Sequence, residues 1–255
     1  MNVRSIIRKT FIILFWVGIW AIAAELIRTP LLLPSPVGVF MRIFSLMEIS
    51  SFWKITFLSL MRIMFGILSA ITIGLILAVL ITNSSLLNEL FSPILTVIKV
   101  TPVASFIILL LIWIGRDYVP AVVSALMVMP IICTNVSTGL RNIDRDILEM
   151  TAIYQVPKST VFRRVTIPYV MPYFLSAVQT SIGIGWKAGI AAEVLTVPAF
   201  SIGKMIFESK MYMETTDLFA WTIVVIVISL LIEKGIVKIL NRTGRKYHSE
   251  VIHNG

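Results

Sequence analysis

Five or six mostly apolar runs, each about as long as a membrane is thick, alternate along this chain with short polar segments. They cover residues 11–27, 55–81, 94–114, 119–137, 172–192 and 218–239. About 20 residues rising 1.5 Å each carry a helix across a hydrocarbon core of about 30 Å. A backbone in lipid must satisfy its own hydrogen bonds, so runs of this length read as helices. The pattern predicts an all-α membrane protein with about six transmembrane helices, organised as one domain over residues 1–255. Several runs hold Gly or Pro, which bilayer helices tolerate where neighbours re-satisfy the backbone. The first run follows Arg4, Arg8 and Lys9, as a signal peptide would. Its apolar core is longer than the usual h-region of roughly 7–15 residues and no small-x-small cleavage site follows, so it is expected to stay as the first span.

The polar segments set the orientation. With the N-terminus inside, the cytoplasmic segments hold Arg4, Arg8, Lys9, Arg141, Arg145, Lys158, Arg163, Arg164, Lys234, Lys238, Arg242, Arg245 and Lys246. The opposite side holds Arg28, Arg42, Lys54, Arg116, Lys204 and Lys210. Thirteen against six follows the positive-inside rule. Both termini are therefore expected in the cytoplasm (N-in, C-in), with a cytoplasmic tail at about 241–255 and a cytoplasmic loop at about 139–168.

That loop has structure of its own. Asp144 and Asp146 lie where a helix can start, and Asp146-x-x-Glu149 has the spacing of a capping box. The helix is expected to run to about Tyr154. Val156-Pro157 breaks it, because proline lacks a donor and disfavours helical geometry in the residue before it. Pro157 suits the first turn of a second helix over about 158–165, and Pro168 is expected to end that helix. Two short helices with a bend are predicted; an interfacial amphipathic helix is the competing reading.

Composition agrees with the membrane assignment: apolar residues make up 58 % and charged residues 14 %, and mean hydropathy is +0.95. A typical soluble domain is roughly half apolar and about a quarter charged. The net charge of +9 is accounted for by topology, with no nucleic-acid partner implied. Cys133 is the single cysteine, so neither a disulfide framework nor a cysteine metal site is expected. No phosphate-binding loop occurs: Gly203-Lys204 is followed by Met205 and preceded at the required offset by Pro198. The only histidines, His248 and His253, lie in the tail, which leaves no base or ligand for an intramembrane hydrolase or metalloenzyme. No catalytic residue, cofactor or metal is expected, and any energy must come from a partner chain or an ion gradient.

Residues 149–168, EMTAIYQVPKSTVFRRVTIP, resemble the coupling segment of binding-protein-dependent ABC-importer permeases: an acid, small residues, a turn, then Leu-Pro or Ile-Pro. The resemblance implies that Glu149, Thr151, Ala152, Gln155, Phe162, Val165, Ile167 and Pro168 meet a separate ATPase subunit. The family's turn glycine, six residues after the acid, is Gln155 here. Leu33-Pro34-Ser35-Pro36, Ser59-Leu60-Met61-Arg62 with Gly66 and Gly74, Thr101-Pro102-Val103-Ala104 with Leu111-Ile112-Trp113-Ile114-Gly115, Gly185-Trp186, and Ala191-Ala192-Glu193 resemble, in order, pieces of the nitrate, sulfonate and taurine branch. The resemblance implies an inner-membrane permease of a bacterial cell, paired as a homodimer, fed by an extracytoplasmic solute-binding protein and powered by the ATPase. The solute stays open: an organic or inorganic anion such as a sulfonate or nitrate, or a cofactor precursor.

Three cations fall within or at the ends of apolar runs, Arg62, Lys99 and Lys187. A charge at the bilayer centre costs at least about 2.5 kcal/mol, so such groups face the bundle interior or snorkel. Arg62 and Lys99 lie near run ends, where snorkelling suffices. Lys187 is the deepest, and with Trp186 and Arg62 it is the candidate lining of a translocation path. Lys187 and Glu193 are six apart and do not share a helix face. Gly66, Gly74, Gly183 and Gly185 are expected at close helix contacts. Residues 198–217 either touch the binding protein or form a solvated interfacial helix. The alternatives to a permease are an ion-coupled secondary transporter, disfavoured because Glu25, Glu193 and Glu233 lie near run ends and no inverted repeat is seen, and a non-transporting docking protein.

Overall fold

The computed structural model describes the backbone of residues 3–253 and the side chains of residues 7–238 other than Lys9. The side chains of Arg4, Lys9, Arg242, Arg245, Lys246, His248 and His253 lie outside the described residues. Among the described residues every regular element is a helix: α1 (Val3–Ile27), α2 (Pro36–Met47), α3 (Ser50–Asn83), α4 (Ser85–Val100), α5 (Val103–Trp113), α6 (Val119–Arg141), α7 (Arg145–Ile153), α8 (Lys158–Val161), α9 (Ile167–Thr196), α10 (Ile202–Met211) and α11 (Thr215–His253), with a π-helical turn, Phe162–Thr166, between α8 and α9.

Among the described residues, four stretches have the length and apolarity to cross a membrane: Thr10–Ile27, Ser50–Asn83, Val119–Arg141 and Thr215–Lys238. The run at 94–114, expected as one span, is instead two helices, α4 and α5, bent by 109°. Pro102 is the cause. It removes a backbone donor and drives the preceding residue out of helical geometry, and Thr101 is accordingly extended at φ −72°, ψ 129°. The run at 172–192 lies inside α9, whose 30 residues give it spanning length; Gln179, Lys187 and Glu193 dilute its apolarity.

The chain forms two compact units, residues 1–59 with 197–228 and residues 60–196 with 229–255. In the first, Ser35 caps α2 by accepting from the Gly38 amide at 3.2 Å, and Pro36 opens the helix. Two adjacent residues thereby explain the Leu33-Pro34-Ser35-Pro36 motif locally: a hydroxyl satisfies an orphan donor, and a proline has none to lose. Trp20 Nε1 donates to the Pro34 carbonyl at 3.1 Å. Arg42 grips Asp217 with two hydrogen bonds, 2.6 and 2.7 Å. That carboxylate, chiefly through the hydrogen bonds, pushes the Arg42 pKa above its already high ordinary value.

The core of the second unit forms where α3, α6 and α9 meet. A Cβ on Gly66 of α3 would overlap the Ala121 carbonyl of α6. At Gly189 of α9 it would fall 2.5 Å from Ser124 Oγ and 2.8 Å from Ile63 Cγ1. The Ser124 hydroxyl shares its proton between the carbonyls of Pro120 in its own helix, at 2.8 Å, and Gly185 of α9, at 3.0 Å. Gly66, Gly74 and Gly185 thus sit at close contacts as expected, whereas Gly183 has nothing within 4 Å of its Cβ position. Gly189 takes the role instead. Periodicity along one helix cannot say which of several glycines faces a neighbour.

Gly66→Ala is expected to lower the melting temperature of the purified protein sharply, since overpacking against backbone costs about 1–3 kcal/mol or more. Gly183→Ala should leave it unchanged or raise it slightly, because open space receives the methyl and a helical glycine costs roughly 0.5–1 kcal/mol relative to alanine. Thermal unfolding in detergent compares the two.

Candidate functional site

Asp144 starts the polar segment that follows α6. Its carboxylate accepts from the Asp146 amide at 3.0 Å, so Asp144 is the cap and Asp146 lies in the first turn of α7. The capping box expected at Asp146 and Glu149 is therefore not formed. The helix stops at Ile153, and its end has a defined geometry. The Gln155 amide donates to Ala152 O at 3.1 Å and the Val156 amide to Thr151 O at 2.9 Å. This pair of bonds is a Schellman motif, which requires a left-handed residue at the position Gln155 occupies. Gln155 has φ 52°. Glycine reaches that region freely, and an L side chain does so at about 1–2 kcal/mol. Glutamine thus keeps the turn that the family's glycine makes, with some strain.

Pro157 caps α8 rather than lying inside its first turn, and its carbonyl accepts from the Thr160 and Val161 amides at 2.8 and 3.1 Å. Pro168 does not end the second helix, contrary to expectation. The chain passes through the π-helical turn, in which the Ile167 amide bonds Phe162 O five residues back, and continues directly into α9. Pro168 has no amide for the Arg164 carbonyl, and its ring would collide with that carbonyl in a regular helix. Widening the turn by one residue avoids the collision, as π turns do. A continuous helical rod therefore joins the polar segment to the long α9.

The segment places its apolar residues outward. Ile153 is 77 % exposed, Tyr154 76 %, Phe162 57 % and Met150 54 %. Glu149, Ala152 and Gln155 are exposed as well, and Thr151, Val165, Ile167 and Pro168 are half-buried. Arg145, Asp146 and Glu149 share α7 with these apolar residues, so the helix is amphipathic. Exposed apolar groups on such a helix mark a contact with another protein or with the membrane surface.

The three expected path residues have different surroundings. Trp186 is 1 % exposed and its Nε1 donor has no partner among the described residues. Lys187, about 100° further around α9, is exposed. Arg62 does not snorkel: its Nη1 lies 2.8 Å from Glu193 Oε1, with 16 % of the arginine side chain and none of the glutamate exposed. This ion pair joins α3 to α9. Its signal in the sequence is depth: Arg62 and Glu193 lie toward the same end of the bundle in antiparallel runs. Helix periodicity excludes an intrahelical partner for Glu193 but cannot supply the partner on another helix.

Breaking a buried pair leaves a lone buried charge, at about 3–5 kcal/mol, whereas replacing both partners by apolar groups is often neutral. Arg62→Met and Glu193→Met singly should each lower thermal stability markedly, and the double substitution should recover most of the loss in a double-mutant cycle. Gln155→Gly should hold or raise stability, and Gln155→Val, β-branched at positive φ, should reduce it by about 1 kcal/mol or more.

Comparison with known proteins agrees with this architecture. The taurine transport system permease protein of Escherichia coli (strain K12) is 22 % identical over 238 residues, covering 91 % of this chain and 86 % of its own. The nitrate import permease protein of Leptolyngbya laminosa is 31 % identical over 147 residues, 57 % of this chain and 52 % of its own. The inward-facing MetNI methionine ABC transporter superposes with a TM-score of 0.56 at 16 % identity, covering 74 % of this chain and 93 % of that one; it shares the fold. A family model described as the binding-protein-dependent transport system inner membrane component matches residues 70–243, well over half the chain. The protein belongs to that family, as a multi-pass permease of an ABC importer in a bacterial inner membrane.

Proposed function

We propose that this chain forms half of a translocation path, as a homodimer, and is driven by a separate ABC ATPase that grips residues 145–166. The observation that carries the reading is the outward apolar set Met150, Ile153, Tyr154 and Phe162 within an otherwise charged segment. A groove on the ATPase would cover it, with Glu149 and Gln155 at its edge. The rod formed by α8, the π-helical turn and α9 would carry movement of that groove to the helix that holds Glu193 and Lys187. One chain offers one such segment, and two ATPases need two, which favours a pair of identical permeases.

In this reading α1, α3, the bent pair α4–α5, α6, α9 and α11 make six crossings with both termini inside. Residues 198–217 face the extracytoplasmic binding protein. The chain is a single functional domain despite its two compact units. Relatives are named for the anions nitrate and bicarbonate, and for taurine, which carries a sulfonate, so a small solute with an anionic group is the proposed cargo, and the exposed Lys187 is the cation available to it once two copies pair. The buried Trp186 supports α9 from inside, and Arg62 neutralises Glu193.

Co-purification tests the coupling. Ile153→Asp or Phe162→Asp should abolish recovery of the ATPase with the permease while leaving the melting temperature of the permease alone unchanged, since both residues are exposed. Undiminished recovery with both substitutions would overturn the assignment of this segment.

A further inference from the structure

A second polar site lies away from the 145–166 surface, in a groove of ≈ 240 Å³ lined by α4 and α6 with a wall from Ile81 of α3. It arises from the break at Pro102. Freed from α5, α4 is amphipathic, with Leu86, Leu90, Ile94, Val97 and Val100 exposed along one face. Asn88, Ser92, Thr96 and Lys99 follow the opposite face at spacings of four, four and three, one stripe of a helix. From α6, Thr134, Thr138 and Arg141 line it on the same i, i+4, i+7 logic, with Leu95 of α4 and Ser137 of α6 beside them.

The groove holds two cations and no carboxylate: no Asp or Glu lines it, and neither Lys99 nor Arg141 has an acidic partner among the described residues. Arg141 is held in place by its Nη2, which donates to Asn88 Oδ1 at 3.0 Å, leaving most of its five donors unused. The threonine protons are committed to helix carbonyls: Thr96 to Ser92, Thr134 to Pro130 and Thr138 to Thr134, at 2.7–2.9 Å. The spare donors thus include the Lys99 ammonium, the Arg141 guanidinium, the Asn88 amide and the Ser92 hydroxyl. Two positive charges and excess donors with no anion to meet them constitute a receptor for negative charge.

We propose that this groove binds an oxyanion group, either of a free small anion or of an anionic lipid headgroup. Arg141 ends α6, three residues before the Asp144 cap of α7. An occupant would therefore pull directly on the residues that lead into the exposed segment. The proposal rests on the permease reading only for the groove's side of the membrane; the binding itself is independent of transport.

The test is thermal stability and native mass spectrometry of the full chain in two kinds of nanodisc. In pure phosphatidylcholine discs, sodium sulfate is titrated against sodium chloride at equal ionic strength. In a second set, phosphatidylglycerol replaces about a third of the lipid and sulfate is omitted. Saturable stabilisation by sulfate identifies a free anion, and stabilisation with bound phosphatidylglycerol identifies a headgroup. In either case Lys99→Gln and Arg141→Gln should each weaken the response roughly tenfold, as loss of one charge-assisted bond does, while Lys99→Arg retains it and Arg163→Gln has no effect. If neither ligand acts on the wild type, or if the Gln variants respond as the wild type does, the proposal is wrong. Measuring binding rather than uptake keeps this outcome separate from failure of the transport assignment.

Discussion

Helices α3, α6 and α9 touch almost backbone to backbone, and most of what is specific about the second unit depends on that approach. In lipid the hydrophobic effect does not press one helix against another, so close packing and interhelical hydrogen bonds must do it. Gly66 against Ala121 and Gly189 against Ser124 and Ile63 supply the first. The Ser124 hydroxyl reaching the Gly185 carbonyl supplies the second. Only at this separation can Arg62 on α3 reach Glu193 on α9 at 2.8 Å, and that pair lets a fully buried carboxylate be kept within the apolar bundle.

Prolines divide the same chain into working parts, each by removing one donor. Pro102 splits an apolar run into two helices at 109° and so frees α4 to present a polar face to α6. Pro157 caps a new helix after the strained turn at Gln155. Pro168 widens one turn without interrupting the rod, so α9 begins in the polar segment and ends beside the ion pair. The same local chemistry produces a break, a cap or a bulge according to its flanking structure. Pro102 stands between two helices with extended geometry before it, whereas Pro168 has helix on both sides to hold it.

Much of the site is legible in the sequence because its causes are local. The bend between α7 and α8 and its breaker Pro157 arise from backbone geometry within a few residues, whereas Gln155 in the place of the family's glycine leaves open whether the turn is reshaped or strained, and its φ of 52° decides for strain. Expectation and structure part where a local signal has two outcomes. Asp144 and Asp146 are both plausible caps, and the choice depends on which carboxylate can reach an amide. The lost donor of Pro168 is visible in the sequence and suggests a stop, while the π turn that absorbs the loss depends on α9 continuing beyond it. An arginine near a run end, such as Arg62, can always snorkel unless a partner is offered from another helix.

From the residues alone come the apolar runs, their helical nature, the family and the position of the polar segment, because hydropathy, proline and capping act over a few residues. The residues alone leave open which glycines lie at contacts, which charge meets Glu193, whether Trp186 faces a path or a core, and that Lys99 and Arg141 share one groove. Those depend on which faces of separate helices are turned toward each other, and the packing of the whole unit sets that. A periodic pattern states that a helix has faces; the folded arrangement states what each face touches.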